Sequence, residues 1–207
     1  MADDLETRKR ILNKAREQFF RHGFTKVTLD EMAQEMGVSK KTIYKFFPSK
    51  TEILRELLNW KLQEVEDGLK RIRHGGGKDF VEKLKQIYTF AALHLSEFGQ
   101  PFIRDLERNA PYIWKEVEER RNRTVLGTFG NVFNEGIRKG AIKRNLNPQF
   151  LLLIHTTLIQ RIMNPDILSQ LPMTAPQTLN TIREVIFEGI LTDKARTEYH
   201  AGHSQTE

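Results

Sequence analysis

The segment from residue 28 to residue 47 constrains the fold of this chain more than any other, because it predicts two short helices joined by a tight turn. Thr28 and Glu31 have the spacing of a capping box, in which the hydroxyl accepts a backbone N–H and the carboxylate reaches back. Gly37 ends that helix, since glycine adopts the left-handed conformation usual just past a helix end, and Ser39 is placed to cap a second helix. The first helix has one apolar face, formed by Leu29, Met32, Ala33 and Met36. The pattern is that of a helix-turn-helix unit.

The second helix of this unit presents a basic, hydroxyl-bearing face. Ile43 and Phe47 lie four residues apart and can pack on the first helix. Within the stretch no acidic residue interrupts the outward set, which is Lys40, Lys41, Thr42, Tyr44 and Lys45. Ammonium groups, hydroxyl donors and a helix N-terminus are the groups that contact DNA phosphates and base edges. A solvated face on a small three-helix core is the alternative, but cap, glycine turn, hydroxyls and lysines in this order favour DNA binding.

Residues 8–54 resemble the N-terminal domain of TetR-family transcriptional regulators. The positions that carry the resemblance are Ile11, Leu12, Ala15, Phe19, Gly23, Thr28, Met32, Ala33, Gly37, Val38, Ser39, Thr42, Ile43, Tyr44, Phe47 and Lys50. Two positions depart from it: Lys14 stands where many members carry alanine, and Lys41 where many carry glycine.

The resemblance implies an all-α protein with a three-helix DNA-binding domain and a six-helix domain that dimerises through its last two helices. It implies that Tyr44 and Lys50 contact phosphate, and that four neighbours approach base edges, namely Lys40, Lys41, Thr42 and Lys45. The implied partners are double-stranded DNA with a palindromic operator, a small-molecule effector and a second copy of the chain. The predicted DNA-binding residues are Thr28, Ser39, Lys40, Lys41, Thr42, Tyr44, Lys45 and Lys50.

Positive charge is concentrated near the N-terminus. The chain carries 33 Lys and Arg against 27 Asp and Glu, and residues 1–50 hold eleven basic and seven acidic side chains. Four of the six excess positive charges therefore lie there, which indicates an anionic partner for that part of the chain. The absence of cysteine excludes disulfides, thiolate catalysis and cysteine-based metal sites. The start lacks an apolar signal segment and no apolar run approaches the roughly 18 residues of a membrane span, so we expect a soluble, cytoplasmic protein without membrane contact.

Helical periodicity continues beyond this unit, without a β pattern or an internal repeat. We predict an all-α chain with a three-helix helix-turn-helix domain at residues 1–50, a roughly six-helix ligand-binding and dimerisation domain at residues 51–192, and a disordered tail at residues 193–207. A glycine turn at residues 74–77 and a proline-containing loop at residues 164–176 separate some of the helices. The other helices are predicted at 7–22, 50–73, 80–98, 101–109, 111–139, from 148 onward, and 177–191.

The pocket that the resemblance implies should lie between the fifth and seventh helices, be mostly apolar and take a hydrophobic or aromatic effector. His94 lies beside the apolar stripe of the fifth helix, where it orients a polar ligand or serves as a hydrogen-bonded structural histidine. Arg104 lies near aromatic residues, where it binds a ligand carboxylate or pairs on the surface with Asp105 or Glu107. The candidate lining residues are Tyr88, Ala91, His94, Leu95, Phe98, Arg104, Trp114, Val117, Val125 and Phe129.

The last two predicted helices carry more apolar residues than a monomer of this size buries on terminal helices, which indicates a homodimer. The candidate interface residues are Leu151, Leu153, Ile154, Leu158, Ile182, Ile186 and Ile190.

Three classes of function follow from these observations. The primary hypothesis is a ligand-responsive transcriptional regulator, most simply a repressor, and the second is an architectural DNA-binding protein without an inducer. The third, a helical enzyme with an accessory DNA domain, lacks a catalytic constellation: the histidines have no metal-ligand spacing, and the HGGG sequence at residues 74–77 is not accompanied by G-x-S-x-G. We therefore expect no enzyme activity, no metal site and no cofactor.

Overall fold

The computed structural model describes residues 2–75, 80–98 and 100–188, and these residues form helices without a β-strand. The predicted fold class, all-α with an N-terminal helix-turn-helix unit, is confirmed. The helices are α1 (Ala2–His22), α2 (Leu29–Met36), α3 (Lys40–Phe46), α4 (Lys50–His74), α5 (Phe80–Ser96), α6 (Gln100–Asn109), α7 (Pro111–Arg138), α8 (Pro148–Ile162), α9 (Pro165–Leu168) and α10 (Ala175–Phe187).

Three features differ from the sequence-based prediction. Helix α1 begins at Ala2 rather than at residue 7, and the loop at residues 164–176 contains the single turn of α9. Helix α10 begins two residues early, because the side chain of Thr174 accepts from the Gln177 backbone and that of Gln177 accepts from the Thr174 backbone. Residues 1, 76–79, 99 and 189–207, which include part of the predicted turn, the end of the last helix and the tail, lie outside the described residues.

A first core joins the N-terminal helices to the start of α4. Phe19 of α1, Met32 of α2, Ile43 of α3 and Phe47 are fully or almost fully buried in it. The later part of the chain contributes Ile53, Leu54, Leu57, Leu58, Phe102, Leu106 and Ile113. We call α1–α3 the head and α4–α10 the body. The first core extends across residue 50, and the predicted domain boundary there remains a prediction.

A second core fills the body. Helix α7 packs between α4 and α8, while α5 packs on α4 and α10. Gly68 permits the close approach of α4 and α5, because a Cβ atom there would collide with the ring of Phe90. Buried members of this core include Phe80, Leu84, Ile87, Tyr88, Val132, Phe133, Leu179 and Ile182. Helix α4 contributes to both cores, so it connects head and body directly.

Candidate nucleic-acid interface and internal cavity

The helix-turn-helix unit has the local geometry that its sequence predicts. The hydroxyl of Thr28 accepts from the Glu31 backbone N–H at 3.2 Å, and the Thr28 backbone N–H donates to the Glu31 carboxylate at 3.0 Å. That backbone hydrogen bond lowers the pKa of Glu31. Gly37 ends α2 in the left-handed conformation with φ 67°, and the Ser39 hydroxyl accepts from the Thr42 backbone N–H at 3.0 Å. Thr28 and Ser39 therefore cap the two helices whose orientation sets the exposed face.

Helix α3 packs its apolar side against the rest of the first core, and its polar side faces solvent. Ile43 is fully buried, and Phe47, just past the helix, is nearly so. Thr42 is half-buried, and its hydroxyl lies 2.8 Å from that of Ser39. The exposed residues of α3 are Lys40, Lys41, Tyr44 and Lys45.

The basic face of α3 is partly neutralised by carboxylates that lie on other helices. Lys40 pairs with Asp30 of α2 at 2.7 Å, and Lys45 pairs with Asp4 of α1 at 2.7 Å. The hydrogen bond to Asp30 raises the pKa of Lys40. Both acids lie outside the segment that carries the lysines, so reading along α3 alone missed them. Lys41 has no hydrogen-bond or ion-pair partner among the described residues, which makes it the most available cation of this face.

Lys50 occupies an internal position as well as a basic one. Its ammonium group donates to the carbonyl of Val27 at 2.6 Å and to that of Thr25 at 3.1 Å, and it lies 5.4 Å from the ring centroid of Phe24. Burial lowers the pKa of Lys50. Lys50 therefore fixes the loop between α1 and α2, and its predicted phosphate contact remains a prediction.

A cavity of about 150 Å³ lies inside the body, between α4, α5, α7, α8 and α10. Its walls are almost entirely apolar. An engineered cavity of this volume binds benzene in another protein, so a small apolar ligand fits without rearrangement. Seven of the ten candidate lining residues are placed at this cavity: Tyr88, Ala91, His94, Leu95, Phe98, Val125 and Phe129.

Three candidate lining residues lie elsewhere. Trp114 and Val117 pack against the first core, one or two turns of α7 closer to the head. Arg104 lies at a surface cleft beside Thr25 and Asp105. Asp105 accepts from the backbone N–H and the hydroxyl of Thr25, each at 2.7 Å, and this contact joins α6 to the loop of the head.

The cavity has further lining residues on α4, α5, α7 and α10 and at α8 that the sequence did not reveal. Helical periodicity predicts α4, but an apolar stripe that faces a void has the same pattern as one that faces another helix. The additional lining residues are Lys61, Leu62, Val65, Leu69, Ile87, Arg121, Thr124, Thr128, Ile159, Met163 and Leu179.

Lys61 forms a buried ionic cluster at the cavity wall. Only 2% of Lys61 is exposed, and its ammonium nitrogen lies 3.0 Å from Glu64, 2.5 Å from Glu97 and 2.6 Å from Nδ1 of His94. Burial, and then the charge of Lys61, lower the pKa of His94, and Nδ1 of the ring accepts a hydrogen bond from the ammonium group. Glu97 also pairs with Arg16 of α1. His94 is therefore both a lining residue and a structural hydrogen-bond acceptor.

A second buried histidine supports the far side of the cavity. Nε2 of His155 lies 2.6 Å from the hydroxyl of Tyr88, and its ring centroid lies 3.7 Å from that of Phe129. Burial lowers the pKa of His155 to about 3 and raises the pKa of Tyr88. Nδ1 of His155 has no hydrogen-bond partner in the described part of the chain. The histidine is thus neutral at physiological pH.

The cavity and the head share one wall segment, residues 94–98. Phe98 lines the cavity and also contacts Phe20 of α1, with ring centroids 4.7 Å apart, and Phe102 of α6, at 5.9 Å. Glu97, one residue earlier, pairs with Arg16 of α1. A displacement of this segment therefore acts on α1 through one aromatic and one ionic contact.

An apolar surface lies on α8 and α10. Phe150 and Leu153 are 60% and 59% exposed, and Ile154 and Val185 are also exposed. Of the candidate interface residues, Ile182 is buried in the second core, and three others are half-buried against that core, namely Leu151, Leu158 and Ile186. Ile190 lies outside the described residues. The exposed apolar surface is thus centred on α8.

None of the helices in the described ranges has both the length and the hydropathy that crossing a membrane requires.

The chain is similar in sequence and in fold to known proteins. Residues 11–57 match the family described as bacterial regulatory proteins, tetR family. The chain is 22% identical over 189 residues to a protein named "Uncharacterized HTH-type transcriptional regulator YvaF" of Bacillus subtilis (strain 168), which covers 90% of this chain and 96% of that protein.

Two solved structures have a similar fold. A transcriptional regulator of the TetR family from Agrobacterium tumefaciens has a TM-score of 0.67 at 20% identity, over 91% of this chain and 100% of that one. The transcriptional regulator FadR from Bacillus subtilis, in complex with stearoyl-CoA, has a TM-score of 0.60 at 20% identity, over 88% and 99%.

Proposed function

The chain belongs to the TetR family of DNA-binding transcriptional regulators, and on that premise we propose that it is a repressor: a homodimer that binds a palindromic operator and is released by a small, mostly apolar effector. The matched family and the relative from Bacillus subtilis are both named as regulators. The observation that carries the proposal is the wall segment at residues 94–98, which joins an apolar cavity to the domain that carries the exposed face of α3.

The exposed face of α3 supports DNA reading. Lys41 has no partner among the described residues and is free to approach a base edge, for which N7 or O6 of guanine is the preferred acceptor of a lysine. Lys40 and Lys45 are paired with exposed carboxylates, and such pairs contribute little free energy, so they exchange readily for DNA phosphates. Tyr44 is exposed beside them and offers a neutral hydroxyl donor to phosphate.

The apolar surface of α8 supports homodimerisation. A contiguous exposed apolar surface on a soluble protein commonly marks an interface, and Phe150 and Leu153 are its most exposed members. A two-fold dimer presents two copies of α3, and these reach adjacent major grooves when their centres are about 34 Å apart. The operator is then palindromic, because each half-site meets the same helix.

The shared wall segment supports a mechanism of release by population shift. A ligand larger than the empty cavity displaces Phe98, or the turn that carries Glu97, and so favours a different position of α1 relative to α4. The two heads then no longer match adjacent grooves. Filling an apolar cavity favours an apolar ligand, since a polar one would lose hydrogen bonds to water without replacing them.

Selection of bound DNA from a random pool tests this function. The full-length protein is expected to enrich a two-fold symmetric sequence, and sedimentation at micromolar concentration is expected to give about twice 24.2 kDa. Enrichment of DNA without sequence preference would contradict the proposal and favour the architectural alternative.

A matched pair of variants tests the dimer. Leu153→Asp is expected to give a monomer that no longer binds the selected operator, because charge opposes burial of this surface. Leu93→Asp places the same charge at another exposed leucine, on α5, and is expected to leave both properties unchanged. A dimeric Leu153→Asp protein would show that the interface lies elsewhere.

A further inference from the structure

We propose that the effector is an apolar carboxylate, whose anionic group pairs with the guanidinium group of Arg121 at the end of the cavity nearest the head. This inference rests on the proposed function and specifies the chemistry of its effector. It follows from the sign, the position and the hydrogen bonding of the charged residues that line the cavity.

The charged groups that line the cavity are positive. Lys61, His94 and Arg121 are the ionisable residues there besides Tyr88, and no Asp or Glu is among the lining residues. His94 is neutral because it accepts from Lys61. The wall surface is almost entirely apolar, so Lys61 and Arg121 contribute mainly their methylene groups to it. Their positive charges lie just behind this surface, and no carboxylate is among the lining residues.

These cations lie at one end of the cavity. Helices α4 and α7 run parallel, as the contacts of Arg55 with Glu116 and of Thr124 with Glu66 show. Arg121 is therefore level with the turn of α4 that carries Lys61. The opposite end is lined by residues such as Leu69, Phe129, Met163 and Leu179. The cavity is thus polarised, with a cationic end toward the head and an apolar end away from it.

Arg121 has unused hydrogen-bond donors, whereas Lys61 does not. All three ammonium protons of Lys61 are taken by Glu64, Glu97 and His94. Within the described residues Arg121 has one hydrogen-bond partner, Glu118, at 3.2 Å through one nitrogen. A guanidinium group has five N–H donors and matches the two oxygens of a carboxylate. Arg121 is therefore the group that binds an incoming anion.

The unused donors of Arg121 make a neutral apolar ligand a poorer fit to this end of the cavity than an anion. Burial already lowers the pKa of Arg121, although its guanidinium group stays protonated. The Arg121 side chain is 26% exposed and pairs with Glu118, so water reaches its remaining donors, and a hydrocarbon that displaced this water would supply no acceptor. A carboxylate supplies the acceptor and the opposite charge together, while its apolar part fills the other end.

Calorimetric titration of the full-length protein with two matched ligand series tests the proposal. The first series is straight-chain carboxylates from butanoate to decanoate, and the second is the corresponding primary amides, which have nearly the same shape without the charge. We expect the best carboxylate to bind about tenfold or more tightly than its amide, as charge-assisted hydrogen bonds are stronger than neutral ones.

Three variants assign the preference to one residue. Arg121→Gln is expected to abolish the carboxylate preference, and Arg121→Lys, which keeps the charge, is expected to retain part of it. Arg123→Gln removes an exposed arginine two residues away on the same helix and is expected to retain all of it. Thermal unfolding of each variant checks that it is folded.

The outcomes separate this inference from the proposed function. Equal binding of acids and amides, no binding of either series, or a preference that survives in Arg121→Gln would overturn the inference. Equal binding that releases the operator would leave the proposed repressor intact. Arg121-dependent carboxylate binding that leaves operator affinity unchanged would support the inference and contradict the proposed release mechanism.

Discussion

The head and the body differ in how their interiors are packed. The first core is filled by apolar side chains, and Gln18 is the one polar residue buried within the described part of the head. The body instead contains a cavity and buries six polar or charged residues among those described, Lys61, Lys83, Thr128, His155, Thr156 and Thr178. Voids reduce stability, and so do buried polar atoms without a hydrogen-bond partner, such as Nδ1 of His155. The comparison indicates that the head is built for a single conformation, whereas the body retains a space that a ligand can fill.

The largest expected effect is on the free energy of unfolding, and it tests whether the first core is fully packed while the second contains a void. Leu54 and Leu62 lie on the same helix, Leu54 fully buried in the first core and Leu62 at the cavity wall. Leu54→Ala should lower the free energy of unfolding by about 2–5 kcal/mol, because it leaves a new void. Leu62 is half-buried and borders a void, so it makes fewer contacts, and Leu62→Ala should cost less than about 2 kcal/mol. Urea unfolding of both variants measures the difference, and equal losses would contradict the comparison.

The next effect is a pH dependence that originates in the body. The folded-state pKa of His155 is about 3, below the ordinary value of 6.5, so below pH 6.5 the unfolded chain binds a proton that the folded chain does not. Stability is therefore lost as the pH falls from about 6.5 toward 3. Between pH 6.5 and pH 5 the loss from this group is about 2 kcal/mol.

His155→Gln serves as the matched variant for this dependence. Glutamine stays neutral and retains a polar group near the hydroxyl of Tyr88. Urea unfolding at pH 7 and pH 5 should show a smaller loss for the variant than for the parent protein. Carboxylates with lowered pKa values are common to both proteins and cancel in the difference. Identical losses would show that His155 titrates normally.

A smaller effect distinguishes two lysines of the DNA-reading region. Lys50→Ala removes two hydrogen bonds to backbone carbonyls and should lower the free energy of unfolding by about 1 kcal/mol or more. Lys41→Ala should leave stability within about 0.5 kcal/mol and weaken operator binding, by about 1–3 kcal/mol at one base position. Urea unfolding and DNA binding at several salt concentrations give both quantities. If Lys50→Ala leaves stability unchanged and flattens the salt dependence by about one unit of slope, its role is a phosphate contact instead.

The sequence predicted the head well, because short-range rules determine its structure. The helix caps act over three or four residues, and they are formed by Thr28 with Glu31, by Gly37, and by Ser39 with Thr42. The structure has each cap at the position that the spacing predicts. The pairs of Lys40 with Asp30 and of Lys45 with Asp4 were missed, because they join different helices.

The body was predicted only in outline, because its important contacts are long-range. The helices followed from periodicity, but a lysine within an apolar stripe is normally exposed, and nothing local shows that Lys61 meets His94 and Glu97 more than 30 positions later. A void leaves no pattern in a sequence, so Arg121 was not recognised as a lining residue. For the same reason Trp114 and Val117 were assigned to the cavity instead of the first core.

The central claim is that the cavity and the DNA-reading head are coupled through residues 94–98, and a cavity-filling variant tests it without knowledge of the effector. Ala91→Phe places a ring in the cavity, next to the turn that carries His94 and Leu95. Leu93→Phe adds a ring to an exposed position of the same helix and serves as the control.

The decisive measurement is the affinity of each variant for the selected operator and for an unrelated duplex. Ala91→Phe should bind the operator about tenfold more weakly than the parent protein, within the usual range of coupling free energies, with affinity for the unrelated duplex unchanged. Leu93→Phe should bind both duplexes as the parent protein does. Operator affinity that is unchanged or increased in Ala91→Phe, with the cavity shown by crystallography to be filled, would contradict the account.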